Sequence, residues 1–269
     1  MGDKNNIKLT PEQETLLVTL YCKAQKDNQI LFDEKAEDII SRIDYDFNQL
    51  QIPKKTIVMM CLRSNQFDAY TQEFLINHHS SVIVHLGCGL DGRYNRIKNN
   101  EVEWYDLDMP AVIDLREQFY KETTKYHMIS SSVTELTWIN NILPKGRSVL
   151  IVAEGLFMYL QEAEIKDLII TLSQAFPGCH LVFDAFSKLT AKRVKGHPSI
   201  KKTSAIINWG IDNAKEIEQW SASIHLKEER YFSQFKGIEK LSYAYRLAFR
   251  FACLIPAARR AHRTLYYIL

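Results

Sequence analysis

From Ser81 onward, short apolar, β-branched runs alternate with helical stretches, and this alternation constrains the fold more than any other feature of the chain. The runs cover residues 81–86, 102–107, 126–129, 148–152 and 180–183. Val149-Leu150-Ile151-Val152 contains no polar position, a pattern that suits a strand in a sheet covered on both faces. Just before the last run, residues 161–176 place Ile165, Leu168, Ile169 and Leu172 on one helical stripe. Strand–helix–strand alternation of this kind builds a doubly wound, mainly parallel α/β sheet. A strand near 228–232, an apolar helix over 241–253 and a closing strand over 264–269 complete the reading.

Residues 1–80 read differently, as helices. Thr10-Pro11-Glu12-Gln13 offers an N-cap with proline at the first helical position, followed by Leu16, Leu17, Leu20 and Tyr21 at helical spacing. Asp33 caps a second helix running through Ile39 and Ile40, Pro53 marks a break, and a further helix spans 67–77. We therefore expect an N-terminal helical extension over 1–80 on a core of 81–269, the two forming one structural unit. The polar, basic stretch SKLTAKRVKGHPSIKK interrupts the core after the fifth strand and predicts a lid at about 187–212. Asn213-Ala214-Lys215-Glu216 then resembles a capping box opening a helix to Trp220.

Lys and Arg number 34 against 32 Asp and Glu, a net charge of +2 that argues against a general nucleic-acid surface. The five cysteines are scattered without a C-x-x-C pair, so neither a disulfide frame nor a metal site is expected. A polar N-terminus and no apolar run near the roughly 20 residues that span a bilayer predict a soluble, cytoplasmic protein without a membrane partner.

The chemistry is concentrated where the first strand runs into Gly87-Cys88-Gly89. Glycine there lets the backbone turn sharply and pass close to a ligand. Asp106 and Asp108 end the next strand about 20 residues on, where a carboxylate accepts from ribose hydroxyls. The G-x-x-G continuation of a dinucleotide fingerprint is missing. That favours a ligand without phosphates, S-adenosylmethionine, over a nicotinamide cofactor. A reductase would also need a Tyr-x-x-x-Lys pair, and none stands near the fifth strand.

HLGCGLDGRYNRI followed by WYDLDMPAVIDLR resembles the leucine carboxyl methyltransferase superfamily, whose pattern is G-x-G-x-D-x-R and then acidic-x-D-x-P. SVLIVAEGLFMYL is similar to that family's strand-four glutamate and following aromatic segment. ILFDEKAEDIISRIDYDF, CLRSNQFDAYTQEFL, NWGIDNAKEIEQW and KEERYF resemble its tetracenomycin-type polyketide O-methyltransferase branch. The resemblance spans nearly the whole chain. It implies a Rossmann-like class I methyltransferase sheet, mostly parallel with its last strand antiparallel. It also implies roles for single residues. Gly87 and Gly89 would let the loop pass under the methionine part of S-adenosylmethionine, while Arg63 and Lys23 would serve its carboxylate. Asp108, with Asp106 beside it, would hold the ribose, and Glu154 would face the methionyl end. Ser132-Val133 stands where many relatives carry Asp-Leu beside the adenine, and Asp33-Glu34 where they carry Asp-Pro, a change expected to affect only a turn.

Bland readings stand beside these. Taken singly, Arg63 is an ordinary ion-paired arginine, and Glu154 at the end of an apolar strand is costly to bury without partners. His85 reads as a satisfied core histidine, Asp91 as an orienter of the glycine loop, Cys88 as backbone only, and Phe157-Met158-Tyr159 as packing. Arg259-Arg260-Ala261-His262-Arg263 reads as a solvated turn. His197, His180 and Tyr159 are the available bases, and no spacing singles one out. The expected acceptor is a small molecule, anionic if the basic stretch over 188–202 attracts it. Methylation of a protein C-terminal carboxylate and a non-catalytic cofactor-binding module are the competing readings.

Overall fold

The computed structural model describes residues 11–26, 29–194 and 206–269. Its centre is a seven-stranded sheet: β1 (Ser81–Leu86), β2 (Glu103–Asp108), β3 (Tyr126–Ser130), β4 (Ser148–Ala153), β5 (His180–Phe186), β6 (His225–Tyr231) and β7 (His262–Ile268). The order is β3-β2-β1-β4-β5-β7-β6, parallel throughout except that β7 runs antiparallel to both its neighbours. All six residues of β1 are buried, the polar Ser81 and His85 included, as a strand covered on both faces requires.

One face of the sheet is covered by α6 (Glu162–Ala175) through Ile165, Leu168, Ile169 and Leu172, the stripe read from the sequence. The other face is covered from the N-terminal segment. Here α1 (Pro11–Lys23), α2 (Glu34–Arg42) and α3 (Lys54–Asn77) lay Leu17, Leu20, Ile39, Phe67, Tyr70 and Phe74 against Ile83, Leu150, Val152 and Val182. The segment before β1 thus supplies a layer of the core. Thr10, the anticipated cap of α1, lies outside the described residues.

α3 starts far earlier than the expected 67–77. Pro53 occupies its N-cap, where a missing N–H costs nothing, so the apparent break is the helix start. This extra length brings Arg63 and Ser64 under the end of β4. Residues 214–220 form a 3₁₀ helix, capped by the Asn213 side chain accepting from Lys215 N at 3.1 Å. Ala214 and Ile217 are both buried, and a three-residue repeat aligns them on one face.

Two excursions leave the carboxyl end of the sheet. After β5 come α7 (Lys188–Val194) and, from 206, an irregular return that binds the Met158 carbonyl through Asn208 N and Trp209 N. Lys195, His197, Lys201 and Lys202, within the anticipated lid, lie outside the described residues. Between β6 and β7 come two short 3₁₀ turns (Phe232–Gln234 and Ile238–Lys240) and then α8 (Tyr243–Ala252) and α9 (Pro256–Arg259); no residue of α8 is buried, although its sequence is apolar. No helix among the described residues is long and apolar enough to cross a membrane.

Candidate active site

β1 ends in a turn that only glycine adopts comfortably. Gly87 has φ +64° and Gly89 φ +52°, and a Cβ at either position would lie 3.1 Å from Leu156 or Leu16. The Gly87 amide donates to the Leu107 carbonyl at 2.8 Å, tying the turn to the end of β2. Gly89 N donates to one oxygen of Asp108 at 2.7 Å, and Met109 N donates to the other at 2.8 Å. Burial pushes the Asp108 carboxyl above its ordinary range, opposed by those two amides and by Arg116 and His85. Ser132 and Val133 follow β3 on the same edge, where Ser131 N donates to the Asp108 carbonyl at 3.0 Å. The Ser132 hydroxyl is paired with that of Thr134 at 2.8 Å.

Asp106 is placed differently from the expected ribose contact. It is fully buried, and both oxygens are taken: one by Trp104 Nε1 at 2.8 Å and His85 Nδ1 at 3.1 Å, the other by Tyr126 Oη at 2.7 Å and by Arg116. Arg116, from α5 (Pro110–Arg116), also donates to the carbonyls of Gly89 at 2.8 Å and Asp91 at 2.9 Å. Asp106 is therefore the hub that fixes the glycine loop through Arg116. Burial works to raise its carboxyl, but Arg116 and His85 overcome this and hold it at about 2. His85 is the satisfied core histidine anticipated. Its Nε2 meets Arg93 at 3.0 Å, and because a guanidinium only donates, the ring proton sits on Nδ1 toward Asp106.

Lys23, Arg63 and Glu154 are brought together by a chain of buried ion pairs. Lys23 Nζ lies 3.1 Å from Asp91, which also accepts from Arg96 at 2.7 Å. Arg93, on α4 (Arg93–Ile97), bonds Asp68 at 2.8 Å and contacts Glu154. Glu154 accepts from Arg63 Nε at 2.8 Å and from Ser64 Oγ at 2.9 Å. Burial alone would raise the Glu154 carboxyl; Arg63, Arg93 and Lys23 reverse this and bring it down to about 2. Arg96 closes the chain onto Asp68 at 2.7 Å and onto Asp33, which caps α2 and accepts from Gly92 N at 3.3 Å. Asp33 is thus the cap read from the sequence and also a member of the charged chain.

Sequence reasoning gave no role to Asp68, Arg93, Arg96 or Arg116. Arg93 closes the G-x-G-x-D-x-R pattern and Arg116 ends WYDLDMPAVIDLR, so a signal existed for both. Asp68 in CLRSNQFDAYTQEFL and Arg96 in HLGCGLDGRYNRI also lie within matching segments, but no pattern position singles either out.

Of the bases considered, His180 begins β5 at the opposite edge of the sheet, paired with the Tyr266 hydroxyl at 2.8 Å, and burial lowers it to about 4. Tyr159 does lie at the glycine-loop edge, within reach of the charges of Arg63 and Asp184, but burial raises its hydroxyl and keeps it a phenol. His197 lies outside the described residues. A cleft of about 1060 Å³ opens elsewhere, behind the ion-pair chain between α2, α3, α4 and residues 236–240. It touches the ion-pair chain through Asp33, Asp68 and Arg96, and none of Gly87, Gly89 and Asp108 lines it.

The model for the leucine carboxyl methyltransferase family matches residues 14–173, which contain every element of this edge up to α6. The chain belongs to the leucine carboxyl methyltransferase family. It is similar to the tetracenomycin polyketide synthesis O-methyltransferase TcmP of Streptomyces glaucescens, with 34% identity across 99% of both chains. It also matches the S-adenosyl-L-methionine-dependent methyltransferase dpfgK of Gibberella zeae, 26% identical over 85% of each. Among solved structures, a DUF574 family protein of Streptomyces avermitilis superposes with a TM-score of 0.62 at 11% identity, covering 96% of this chain and 99% of the other. An S-adenosylmethionine-dependent methyltransferase of Mesorhizobium loti gives 0.52 at 13%, covering 76% and 98%. Those two likenesses bear on the fold alone, a class I methyltransferase sheet with β7 reversed.

The family's methyl donor is S-adenosylmethionine, and the edge fits it. Gly87 and Gly89 hold left-handed conformations that a side chain would strain, Asp108 places a carboxylate at the end of β2, and Arg63, Lys23 and Glu154 bring both signs of charge to the same edge, a set that suits a ribose and an amino-acid head group. Among the described residues no group of three or more His, Cys, Asp or Glu is arranged to hold a metal ion.

Proposed function

We propose that this methyltransferase acts on an oxygen of a small, anionic or ionisable acceptor, a carboxylate or phenol of polyketide type. Asp108 holds the ribose, and Ser132 and Val133 flank the adenine. Arg63 and Lys23 face the methionine carboxylate, and Glu154 stands at the methionyl end. The observation that carries this reading is the joining of Gly87, Gly89, Asp108, Lys23, Arg63 and Glu154 at one edge of a class I sheet. The donor brings its own activation, because its sulfonium makes the methyl group electrophilic. What the chain must do is hold the acceptor in line and keep water out, which is worth on the order of 7–11 kcal/mol of barrier.

Similarity to the tetracenomycin enzyme over the full chain supports a small-molecule acceptor over a protein one. The charge of both excursions supports an anionic acceptor. α7 carries Lys188, Lys192 and Arg193, and the chain has no Asp or Glu side chain after Glu239. Such a field raises the local concentration of anions.

Calorimetric titration with S-adenosylmethionine, S-adenosylhomocysteine and NADH, repeated on Asp108→Ala, tests the cofactor assignment. Binding of the two sulfur ligands only, weakened in the variant, is the expected result; no binding of either would end the reading. Replacing Lys192 and Arg193 by Gln should raise acceptor KM, and an unchanged KM removes the anionic-acceptor element.

A further inference from the structure

The excursion between β6 and β7 carries an apolar surface that lies in water. Of the ten large apolar or aromatic side chains exposed among the described residues, four fall within 243–255. They are Tyr243, Phe251, Leu254 and Ile255, each with more than half of its surface exposed. Single exposed side chains are ordinary, but a cluster of this kind marks a contact surface. α8 places Tyr243, Leu247 and Phe251 four residues apart on one stripe, with Arg246 and Arg250 along its flank. The opposite side of α8 carries Phe249, whose ring stacks on Phe232 at 6.3 Å between centroids and holds the helix against the protein. At the far end of the excursion β7 begins with His262, paired with Phe186 at the end of β5. His262 Nε2 lies 2.7 Å from Asp184 Oδ2, and its ring lies 4.8 Å from Phe186 and 5.2 Å from Phe232. The apolar surface is thus anchored at both ends, at the carboxyl edge of the sheet.

The charge around this surface has one sign. Arg246, Arg250, Arg259 and Arg260 are exposed, and the chain has no Asp or Glu after Glu239. The acids of β6 are already taken, Glu228 by Arg230 and Glu229 by Arg263 at 2.7 Å. An apolar stripe flanked by arginine is the composition of a helix that lies in the plane of a lipid headgroup layer. A second copy fits poorly, since a two-fold contact through this face would crowd the four arginines of each copy together. Residues 195–205, outside the described residues, carry Lys195, Lys201 and Lys202 and no acid, so charge opposes their covering it. An acidic protein surface would answer the arginines and leave the apolar stripe unmatched. A bilayer containing anionic lipid matches both.

We infer that the face formed by α8 and the turn into α9 docks on a membrane surface containing anionic lipid. Tyr243, Phe251, Leu254 and Ile255 enter the boundary between headgroups and acyl chains, while Arg246, Arg250, Arg259 and Arg260 meet the lipid phosphates. Binding of this kind is peripheral. The absence of a long apolar helix among the described residues bears on crossing a bilayer, not on lying against one. The expectation of no membrane partner came from the lack of a spanning run, a signal that an amphipathic helix of 10 residues does not produce. Neither the glycine loop nor the ion-pair chain takes part, so docking and cofactor binding are separable.

Co-sedimentation with vesicles of phosphatidylcholine, with or without phosphatidylglycerol, tests this. The wild type should bind the mixed vesicles far more tightly than the neutral ones, and raised salt should release it. Arg246→Gln combined with Arg250→Gln should weaken binding about 25-fold, or about five-fold for each charge near an anionic surface. Phe251→Ser combined with Leu254→Ser should weaken it about tenfold or more even at low salt, because apolar burial is lost. Circular dichroism checks that both variants stay folded. A second readout uses Cys253, the one cysteine of the five that is not buried. An environment-sensitive fluorophore on it should shift to the blue on mixed vesicles only. No binding to mixed vesicles, equal binding to neutral ones, or binding that both variants leave unchanged would overturn the proposal and leave the face to a protein partner. A label already in apolar surroundings in the free protein would also overturn it, by showing that this chain or a second copy covers the face; sedimentation velocity separates those two.

Discussion

The carboxyl edge of the sheet carries two unlike regions. Around β1, β2 and β4 the side chains are charged, buried and several times paired: Arg93, Arg116 and Asp106 are fully buried, and each makes three or more polar contacts of the kind described above. Around β5, β7 and the excursion between β6 and β7, one polar pair, His262 with Asp184, stands among aromatic rings. Beyond it Tyr243, Phe251, Leu254 and Ile255 are exposed by 59–76%. The first region, assigned above to the cofactor by proposal, is built rigid, because a half-satisfied buried network is worse than none. The second, which the same proposal leaves to the acceptor, has few bonds to hold it in one shape. Removing a charge should therefore be severe on one side and mild on the other.

The largest effect is expected at Arg93. Arg93→Met would strand Asp68 and Glu154 as buried carboxylates short of a partner, and removing one member of such a set costs about 3–5 kcal/mol. Arg250→Met, on the unburied helix α8, should stay within about 0.5 kcal/mol. Urea unfolding of the two variants measures both. Equal losses would show that the two regions do not differ in the way described.

Sequence made the first region half legible. Gly87, Gly89 and Asp108 can be read because the strand, the turn and the next strand end are local signals. Their charged support cannot, since Arg96 meets Asp33 and Arg93 meets Asp68 only after α2, α3 and α4 have packed. Asp106 and Asp108 look interchangeable in DLD, and two residues apart they share a face of β2; what separates them is that Asp106 lies inside the strand in a saturated hub while Asp108 ends it, half-buried beside two amides. In the second region almost nothing was legible. Arg263, within the run read as a solvated turn, is buried in β7 and donates to the carbonyls of Ile211 and Asp212, while His262 meets Asp184 across an antiparallel register. The apolar sequence of 241–253 signalled a helix correctly but not that it would lie outside the core.

Acid should separate the two aspartates of β2. Asp108 sits above its ordinary range, so its charge is lost first as pH falls, through a value above 3.8. Asp106 and Glu154 are held at about 2, so the stability they contribute is complete above their unfolded values of 3.8 and 4.5 and is lost only as pH falls toward 2. A window should therefore exist, near the ordinary carboxylate range, in which the protein is folded by circular dichroism while S-adenosylhomocysteine binds several-fold more weakly than at pH 7. Parallel loss of binding and fold would mean that Asp108 does not carry the ribose.

The smallest effect is the one that defines the second region. Leu254→Ser and Ile255→Ser remove apolar surface already in contact with water, so each should change stability by no more than about 0.5 kcal/mol. The same substitution at Leu150, fully buried in β4, should cost at least as much as a large-to-small core change, about 2–5 kcal/mol. Leucine is the residue in two of these three cases, so the contrast isolates position from chemistry. If Leu254→Ser instead destabilised the protein by several kilocalories, the 241–259 segment would be part of the packed core, and the acceptor side would be as firmly built as the cofactor side.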